Sequence, residues 1–303
     1  MKKELQGYIA LTIVSFFWGT TYIASRIGVQ HIPGIFLSGV RQFASGLILV
    51  SFFLLKGKKF PEWHELKKIS LQGILLLCIS NGSLTWSLQY ISGGLASIIA
   101  ALVPLFIALF SVWLSKCARI TKWMAIGLLI GFTGVLVIFY DYLGLLQNRG
   151  FIAGISLAFL STLAWSFGTV YTSKQKTSID ILFNVGLQML AGGSVMLVIC
   201  FISGQYVNLA ATDNSTLYAL LYLIFFGSLL AYSAFVIAIT KLPPTLVSVY
   251  AYINPIVAIV LGWLLLEEKM NVHMILGTAI ISGGVYLVKR EFKKQQLIIN
   301  TKK

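Results

Sequence analysis

Ten apolar segments constrain this chain more than any other feature. They lie at about residues 8 to 27, 34 to 55, 71 to 91, 94 to 114, 123 to 142, 150 to 171, 180 to 203, 217 to 239, 246 to 266 and 272 to 288. Each is long enough to carry a helix across the hydrocarbon core of a bilayer. Charges, Gly/Pro pairs and polar clusters punctuate them, and the third and fourth are parted only by the turn-like Ser92, Gly93 and Gly94. A soluble domain carries roughly 25% charged residues; here 58% of the 303 residues are hydrophobic and 11% are charged. The expected fold class is therefore an all-α polytopic membrane protein with ten transmembrane helices, which leaves little chain for a soluble domain.

A net charge of +14 would suggest nucleic acid in a soluble protein. Here the basic residues sit at segment ends, where they act as topology signals, and no nucleic-acid partner is expected. Lys2 and Lys3 ahead of an apolar run mimic a signal peptide, but the run is long and lacks a clear cleavage site, so it reads as the first span. Cys78, Cys117 and Cys200 lack C-x-x-C spacing and read as small apolar fillers rather than as disulfides or metal ligands.

With a cytoplasmic N-terminus, one side receives 19 of the 23 lysines and arginines, among them Lys56, Lys58, Lys59, Lys116, Arg119, Lys174, Lys176, Lys241 and the C-terminal cluster that ends at Lys302 and Lys303. The other side keeps Arg26, Arg149 and Lys269, while Arg41 falls inside a span. The positive-inside rule then places both termini in the cytoplasm of a multi-pass inner (plasma) membrane protein.

The chain also repeats. Trp18, Phe36, Gly39 and Gly46 match Trp165, Phe183, Gly186 and Gly193 at one offset of 147 residues, and later Pro104 pairs with Pro255 and Gly134 with Gly284. Residues 1–147 and 148–303 thus read as two repeats of five spans each, the second ending in a short basic tail. An odd number of spans per half inverts the second against the first, an architecture of carriers. The basic residues after the fourth span (Lys116, Arg119, Lys122) give way after the ninth to Glu267, Glu268 and Lys269, in keeping with that inversion.

Over essentially its whole length the chain resembles the EamA-type branch of the drug/metabolite transporter superfamily. The resemblance is carried by Trp18-Gly19, by Arg41-Gln-Phe-Ala, and by the run from Pro255 to Glu268 followed by Gly277 and Gly283-Gly284-Val285. It implies a membrane transporter of small metabolites, such as amino acids or related compounds, working by export or exchange. Toxic-compound (multidrug) efflux and precursor uptake are the alternatives within that class. The family's acidic residue thirteen positions after the proline is present as Glu268, whereas the first half has Cys117 there, which argues against a role that needs both acids.

Carriers with inverted repeats bind substrate near the midplane, where interrupted helices free backbone groups. Pro104 and Pro255 fall mid-span and each removes one helical hydrogen bond; a simple kink and a gating break both fit. Asn81, Thr85 and Gln89 form a polar stripe on the third span, Tyr22, Gln188, Tyr250 and Asn254 add polar groups elsewhere, and interhelical glue and a polar-lined cavity are the two readings. Trp18 and Trp165 lie inside spans and suit either a pocket wall or core packing. Arg41 is about 10 Å deep by helical rise; the resemblance makes arginine here a general family feature, which favours a structural or gating role over recognition, and its repeat partner is the neutral Gln188. Glu268 is the candidate for coupling. Gly127, Gly131 and Gly134, echoed by Gly277 and Gly284, mark helices that pack closely within or between subunits, so a monomer and a homodimer both fit.

His31, His64 and His273 lie near span ends and form no metal or Ser-His-Asp arrangement, so neither an enzyme nor a cofactor or metal is expected. The expected partners are a small-molecule substrate and the lipid bilayer. A channel or receptor is the competing class, disfavoured by the repeat and by the mid-span prolines.

Overall fold

In a computed structural model the described residues, 2–114, 121–175, 177–248, 250–268 and 271–301, contain helices and no strand. Lys116, Cys117, Arg119, Lys176, Lys269, Lys302 and Lys303, invoked above for charge and repeat, lie outside them. The main helices are α1 Lys2–Gly28, α2 Gly34–Leu55, α3 Trp63–Ser87, α4 Gly93–Leu114 and α5 Lys122–Phe139. They continue with α6 Arg149–Lys174, α7 Ile181–Ser203, α8 Asn214–Lys241, α9 Tyr250–Leu266 and α10 Val272–Thr301.

Among the described residues, seven helices are long and apolar enough to cross a membrane, namely α1 from Glu4 onward, α2, α3, α4, α6, α7 and α8. An eighth is reached if α5 is taken with the bent 3-10 turn Tyr140–Gln147 that follows it. The apolar parts of α9 and α10, Ile253–Leu266 and Val272–Val288, are shorter.

Short polar side chains start many of these helices by accepting from the first free N–H groups. Ser92 caps α4, Thr121 caps α5, Asn148 caps α6, Asp180 caps α7 and Asp213 caps α8. Gly204, at φ +69°, closes α7 in the left-handed conformation that favours glycine. Several boundaries differ from the hydropathy pattern, among them the start of α1 at Lys2 and two larger extensions. The third helix begins at Trp63, because the polar turn around Glu65 and Lys68 continues it beyond its apolar part, and α10 runs on to Thr301 through good helix formers and a Lys294–Glu291 ion pair of 2.8 Å.

Two helix pairs pack through glycine. Between α2 and α7, a methyl placed on Gly46 would sit 2.5 Å from the Leu190 nitrogen, and one on Gly193 would sit 2.5 Å from the Phe43 nitrogen. Between α5 and α10, Gly127 meets the Gly284 carbonyl and Gly134 meets the Gly277 carbonyl, each at 2.7 Å from such a methyl. The glycine stripe thus joins two helices of one chain, where close approach replaces side-chain burial as the source of van der Waals contact.

Polar contacts tie the helix ends into two separate faces. On one face Arg26 donates to the Leu88 carbonyl and lies 4.0 Å from Glu268, His31 lies 3.6 Å from Asp213, and His273 lies 2.8 Å from Asp141. There the hydroxyls of Ser215 and Thr216 hold the Asp213 carboxyl well below the usual carboxylate range. On the opposite face Lys241 donates to Gln6 at 2.8 Å, Ser178 donates to Glu65 and Lys174 donates to the Leu114 carbonyl. One large apolar cluster, with Ile32, Leu37, Leu88 and Leu95, fills the first end of the bundle; a second, with Val14, Leu76, Ile107 and Phe235, fills the other.

Candidate substrate-binding site

Between the two clusters lies a half-open pocket spanning about 600 Å³ of non-atom space, open solvent included. Its aromatic wall is Trp18 of α1, Trp165 of α6 and Tyr22 and Tyr250. The Trp18 and Trp165 rings meet edge to face at 5.1 Å between centroids, and Phe235 closes against both at 5.1 and 4.9 Å. Trp165 Nε1 donates to the Tyr250 hydroxyl at 2.7 Å, so this large side chain is fixed by a hydrogen bond as well as by packing. Trp18 Nε1 donates to the Gly227 carbonyl at 3.3 Å. Gly227 lies in Leu223–Tyr232, a stretch of wide π-helical turns in α8; Ile74–Gly82 of α3 is the other such stretch. Wide turns displace carbonyls from the regular ladder, and they recur at functional sites.

The polar groups of the wall come from α1, α2, α3, α4, α6 and α9. Asn81 Oδ1 accepts from Ser38 Oγ at 2.9 Å, from Arg41 Nη2 at 2.8 Å and, more weakly, from Gln42 Nε2 at 3.4 Å. Arg41 is only 4% exposed, and among the described residues no carboxylate lies within ion-pair distance of it. Its Nε is buried without a partner, as is Asn254 Oδ1.

The proline residues act on the same cavity. Helix α4 is interrupted by a turn at residues 101 and 102, just before Pro104, and a four-residue helix, Pro244–Val247, precedes α9. A proline deprives the residue four positions earlier of its helical donor. Those residues are Ala100 and Ala251, and both line the cavity.

Of the residues singled out from sequence, Trp18, Tyr22, Arg41, Asn81, Trp165, Tyr250 and Asn254 share this wall, and three others do not. Thr85 is turned into its own helix, donating to the Asn81 carbonyl at 2.9 Å. Gln89 lies beyond the end of α3, exposed, where it accepts from the Gly34 N–H at 3.2 Å. The spacing-of-four stripe is broken because π-helical turns precede Gly82 and the helix ends at Ser87. Gln188 is fully buried in a closed network, donating to Gln72 and Asn184 at 2.8 Å each and accepting from Tyr232. The wall also holds Thr21, Ser80, Ser97, Ser161 and Thr162, which composition did not single out. Ser161 and Thr162 precede Trp165 by four and three positions, a helical-face spacing that could have marked them.

Glu268 stands apart, at the face that carries Arg26. Its carboxylate accepts from the N–H groups of Gly93 at 3.1 Å and Gly94 at 3.4 Å, capping the first turn of α4 from the end of α9. A negative charge is favoured at that helix terminus.

The model of the EamA-like transporter family matches residues 5–140 and again 152–290. The chain belongs to that family. Among similar proteins, the uncharacterized inner membrane transporter YedA of Escherichia coli (strain K12) is 34% identical over 288 residues, covering 95% of this chain and 92% of that one. The uncharacterized transporter YoaV of Bacillus subtilis (strain 168) is 26% identical over 302 residues, covering 98% and 100%. Protein PecM of Dickeya dadantii (strain 3937) is 26% identical, covering 90% and 88%. A solved crystal structure shares the fold with a TM-score of 0.66 at 19% identity, over 95% of this chain and 97% of that one. This chain is therefore an EamA-like membrane transporter, and no catalytic family is indicated.

Proposed function

We propose that this transporter exports or exchanges small metabolites by alternating access around the Trp18–Trp165 cavity, as a multi-pass inner-membrane carrier of ten spans with both termini in the cytoplasm. The observation that carries this reading is the meeting of repeat-related residues at one mid-bundle pocket: the two tryptophans form its wall, and each mid-span proline lies four positions after a wall residue and removes that residue's helical donor. A pocket in the middle of the bundle, between two packed ends, suits a carrier that opens each end in turn.

Two inverted repeats, 1–147 and 148–303, are supported by contacts that exchange under the repeat shift. Gly46 against Leu190 becomes Gly193 against Phe43 when 147 is added to the first and subtracted from the second, and Gly127 against Gly284 becomes Gly277 against Gly134 with 150 in the same way. Such interchange is what a pseudo-two-fold axis in the membrane plane produces. The segregation of polar contacts into two faces supports alternate crossing: Arg26, His31, Asp141, Asp213 and Glu268 fall on the outer side and Gln6, Glu65, Lys174 and Lys241 on the inner side. Reporter fusions at Lys58, Lys116 and Lys174 should then read cytoplasm, and fusions at Ala211 and Asn271 the outside. The same compartment for Lys174 and Ala211 would contradict the ten-span topology.

Energy coupling follows from where the acids are. None of the described residues that line the pocket is an acid or a histidine, and proton-driven carriers usually place an ionisable carboxylate or histidine within the bundle. The substrate's own gradient then sets direction, and Glu268 serves as a latch on the outer side rather than as a proton site. Glu268→Gln removes charge from a helix terminus, an effect of about 1 kcal/mol. It should alter the exchange rate by about tenfold or less, equally with and without a pH gradient. Uphill accumulation driven by a pH gradient and abolished by Glu268→Gln would overturn the facilitative mechanism.

A further inference from the structure

We propose that the Tyr232–Gln188 hydrogen bond is the inner gate of this carrier, and that a polar recess beyond it is the vestibule through which substrate meets the cytoplasm. The inference rests on the carrier reading above and adds to it where the passage runs on the inner side and what closes it. The recess spans about 460 Å³ of non-atom space, open solvent included, and its walls come from α3, α6, α7 and α8, with Gln72, Thr172, Asn184 and Thr240 among them. Its rim holds Glu65 and Thr177, beside the Glu65–Ser178 contact that the carrier reading places on the inner side.

Only a thin layer parts this recess from the Trp18–Trp165 pocket. Gln72 and Asn184, on the recess wall, accept from Gln188 Nε2 at 2.8 Å each. Gln188 Oε1 accepts from the Tyr232 hydroxyl, and the Tyr232 ring lies 6.4 Å from that of Trp165 on the pocket wall. Two side chains, Gln188 and Tyr232, therefore lead from one wall to the other. Their bonds differ in how readily they part. A methyl on Gly73 would strike the Gln188 carbonyl, and one on Gly192 would sit 2.7 Å from the Gly73 carbonyl, so α3 and α7 meet backbone to backbone and carry Gln72, Asn184 and Gln188 as one body. Tyr232 comes from α8, at the end of the π-helical stretch Leu223–Tyr232, and its bond is the one that joins α8 to that body. The same stretch holds Gly227, whose carbonyl accepts from Trp18, so one irregular segment bears on both the pocket wall and the gate.

Helix α6 supplies the route past the gate. Thr162, Trp165, Thr169 and Thr172 follow one another at spacings of three or four on one helical face, the first two lining the pocket and the last the recess. Thr169 and Thr172, 1% and 7% exposed, bury their hydroxyls without a partner, and Ser233, next to Tyr232, does the same. An unpaired hydroxyl is costly in a packed interior. Along a passage it is met by water or substrate each time the gate parts.

The test is labelling by a membrane-impermeant methanethiosulfonate, applied to inside-out and right-side-out vesicles that hold the full-length chain. Labelling is read at each residue by mass spectrometry, so the native cysteines stay in place. Thr240→Cys, exposed on the recess wall, should label from the inner face only, and Thr169→Cys, between recess and pocket, slowly from that face. Adding Tyr232→Phe removes the hydroxyl and keeps the ring. It should raise the inner-face rate at Thr169→Cys by about twofold to tenfold, the net worth of one hydrogen bond. Outer-face labelling of Leu84→Cys, on the pocket wall near the outer end of α3, should not rise. Gln188→Asn, whose amide falls one methylene short of Tyr232, should act alike and serves if Tyr232→Phe does not fold. A general loosening raises both rates together, so equal rises at Thr169→Cys and Leu84→Cys overturn the gate, as does an unchanged rate at Thr169→Cys. Label at Thr240→Cys from neither face overturns the vestibule. If counterflow in liposomes persists through these failures, the carrier reading stands without this inner route; label at Thr240→Cys from the outer face overturns its topology as well.

Discussion

Trp18→Ala and Trp165→Ala should each lower the rate of substrate exchange by at least about tenfold, which corresponds to roughly 1.4 kcal/mol at the rate-limiting step. The variants differ in how folding enters. Trp165 is 8% exposed and bonded to Tyr250, so its truncation also opens a cavity, a change costing about 3 to 5 kcal/mol in a packed core. Trp18 is half-buried, so its loss tests the wall more cleanly. Trp165→Phe refines the comparison, because it keeps most of the aromatic contact with Trp18 and Phe235 but leaves the Tyr250 hydroxyl without its donor. Transport normalised to membrane-inserted protein is the measurement. Normal exchange by both alanine variants would remove the tryptophans from the site.

The second large effect concerns assembly. Gly277→Leu should prevent α10 from seating on α5, because even the Cβ would fall 2.2 Å from Ile138 Cγ1 and 2.6 Å from the Gly134 carbonyl. A side chain can rotate away, but the carbonyl belongs to a helix backbone that must move as a whole. Overpacking of this kind costs about 3 kcal/mol. The expected result is loss of monodisperse protein on extraction in detergent, with Gly134→Leu behaving alike. Gly283→Leu is the control, since open space surrounds that position. Equal stability of Gly277→Leu and Gly283→Leu would show that the α5–α10 contact is not formed.

The all-helical class and the apolar core of each long helix were legible because hydropathy is a property of whole segments and survives errors of a few residues at the ends. Trp18 and Trp165 were legible as mid-span residues at matching positions of the sequence repeat, and their meeting edge to face at 5.1 Å is what the sequence did not announce. The stripe Asn81, Thr85, Gln89 was misleading for a local reason, since spacing arguments assume regular α-helical turns and Ile74–Gly82 is wound more widely. Ser80, Ser97, Ser161 and Thr162 escaped notice because short hydroxyls usually satisfy themselves on a carbonyl of their own helix and so look neutral in a sequence. Thr162 does this, donating to Ala158 at 2.8 Å, and still presents itself to the cavity. Of the two mid-span prolines, Pro104 follows a turn in α4 at residues 101 and 102, where the missing N–H is felt, whereas α9 runs unbroken through Pro255. The latch on Glu268 was beyond reach, because it joins residues 175 positions apart and depends on where the α4 N-terminus ends up.

Counterflow in proteoliposomes tests the carrier mechanism most directly. Vesicles containing the purified protein are loaded with unlabelled amino acid, diluted into a trace of the labelled compound with no pH or ion gradient, and followed in time. Exchange at a single site accessible from either side gives a transient overshoot of label inside, which Trp18→Ala should suppress and Glu268→Gln should leave in place. Label that only equilibrates, with a rate independent of internal substrate, would contradict alternating access and favour a channel.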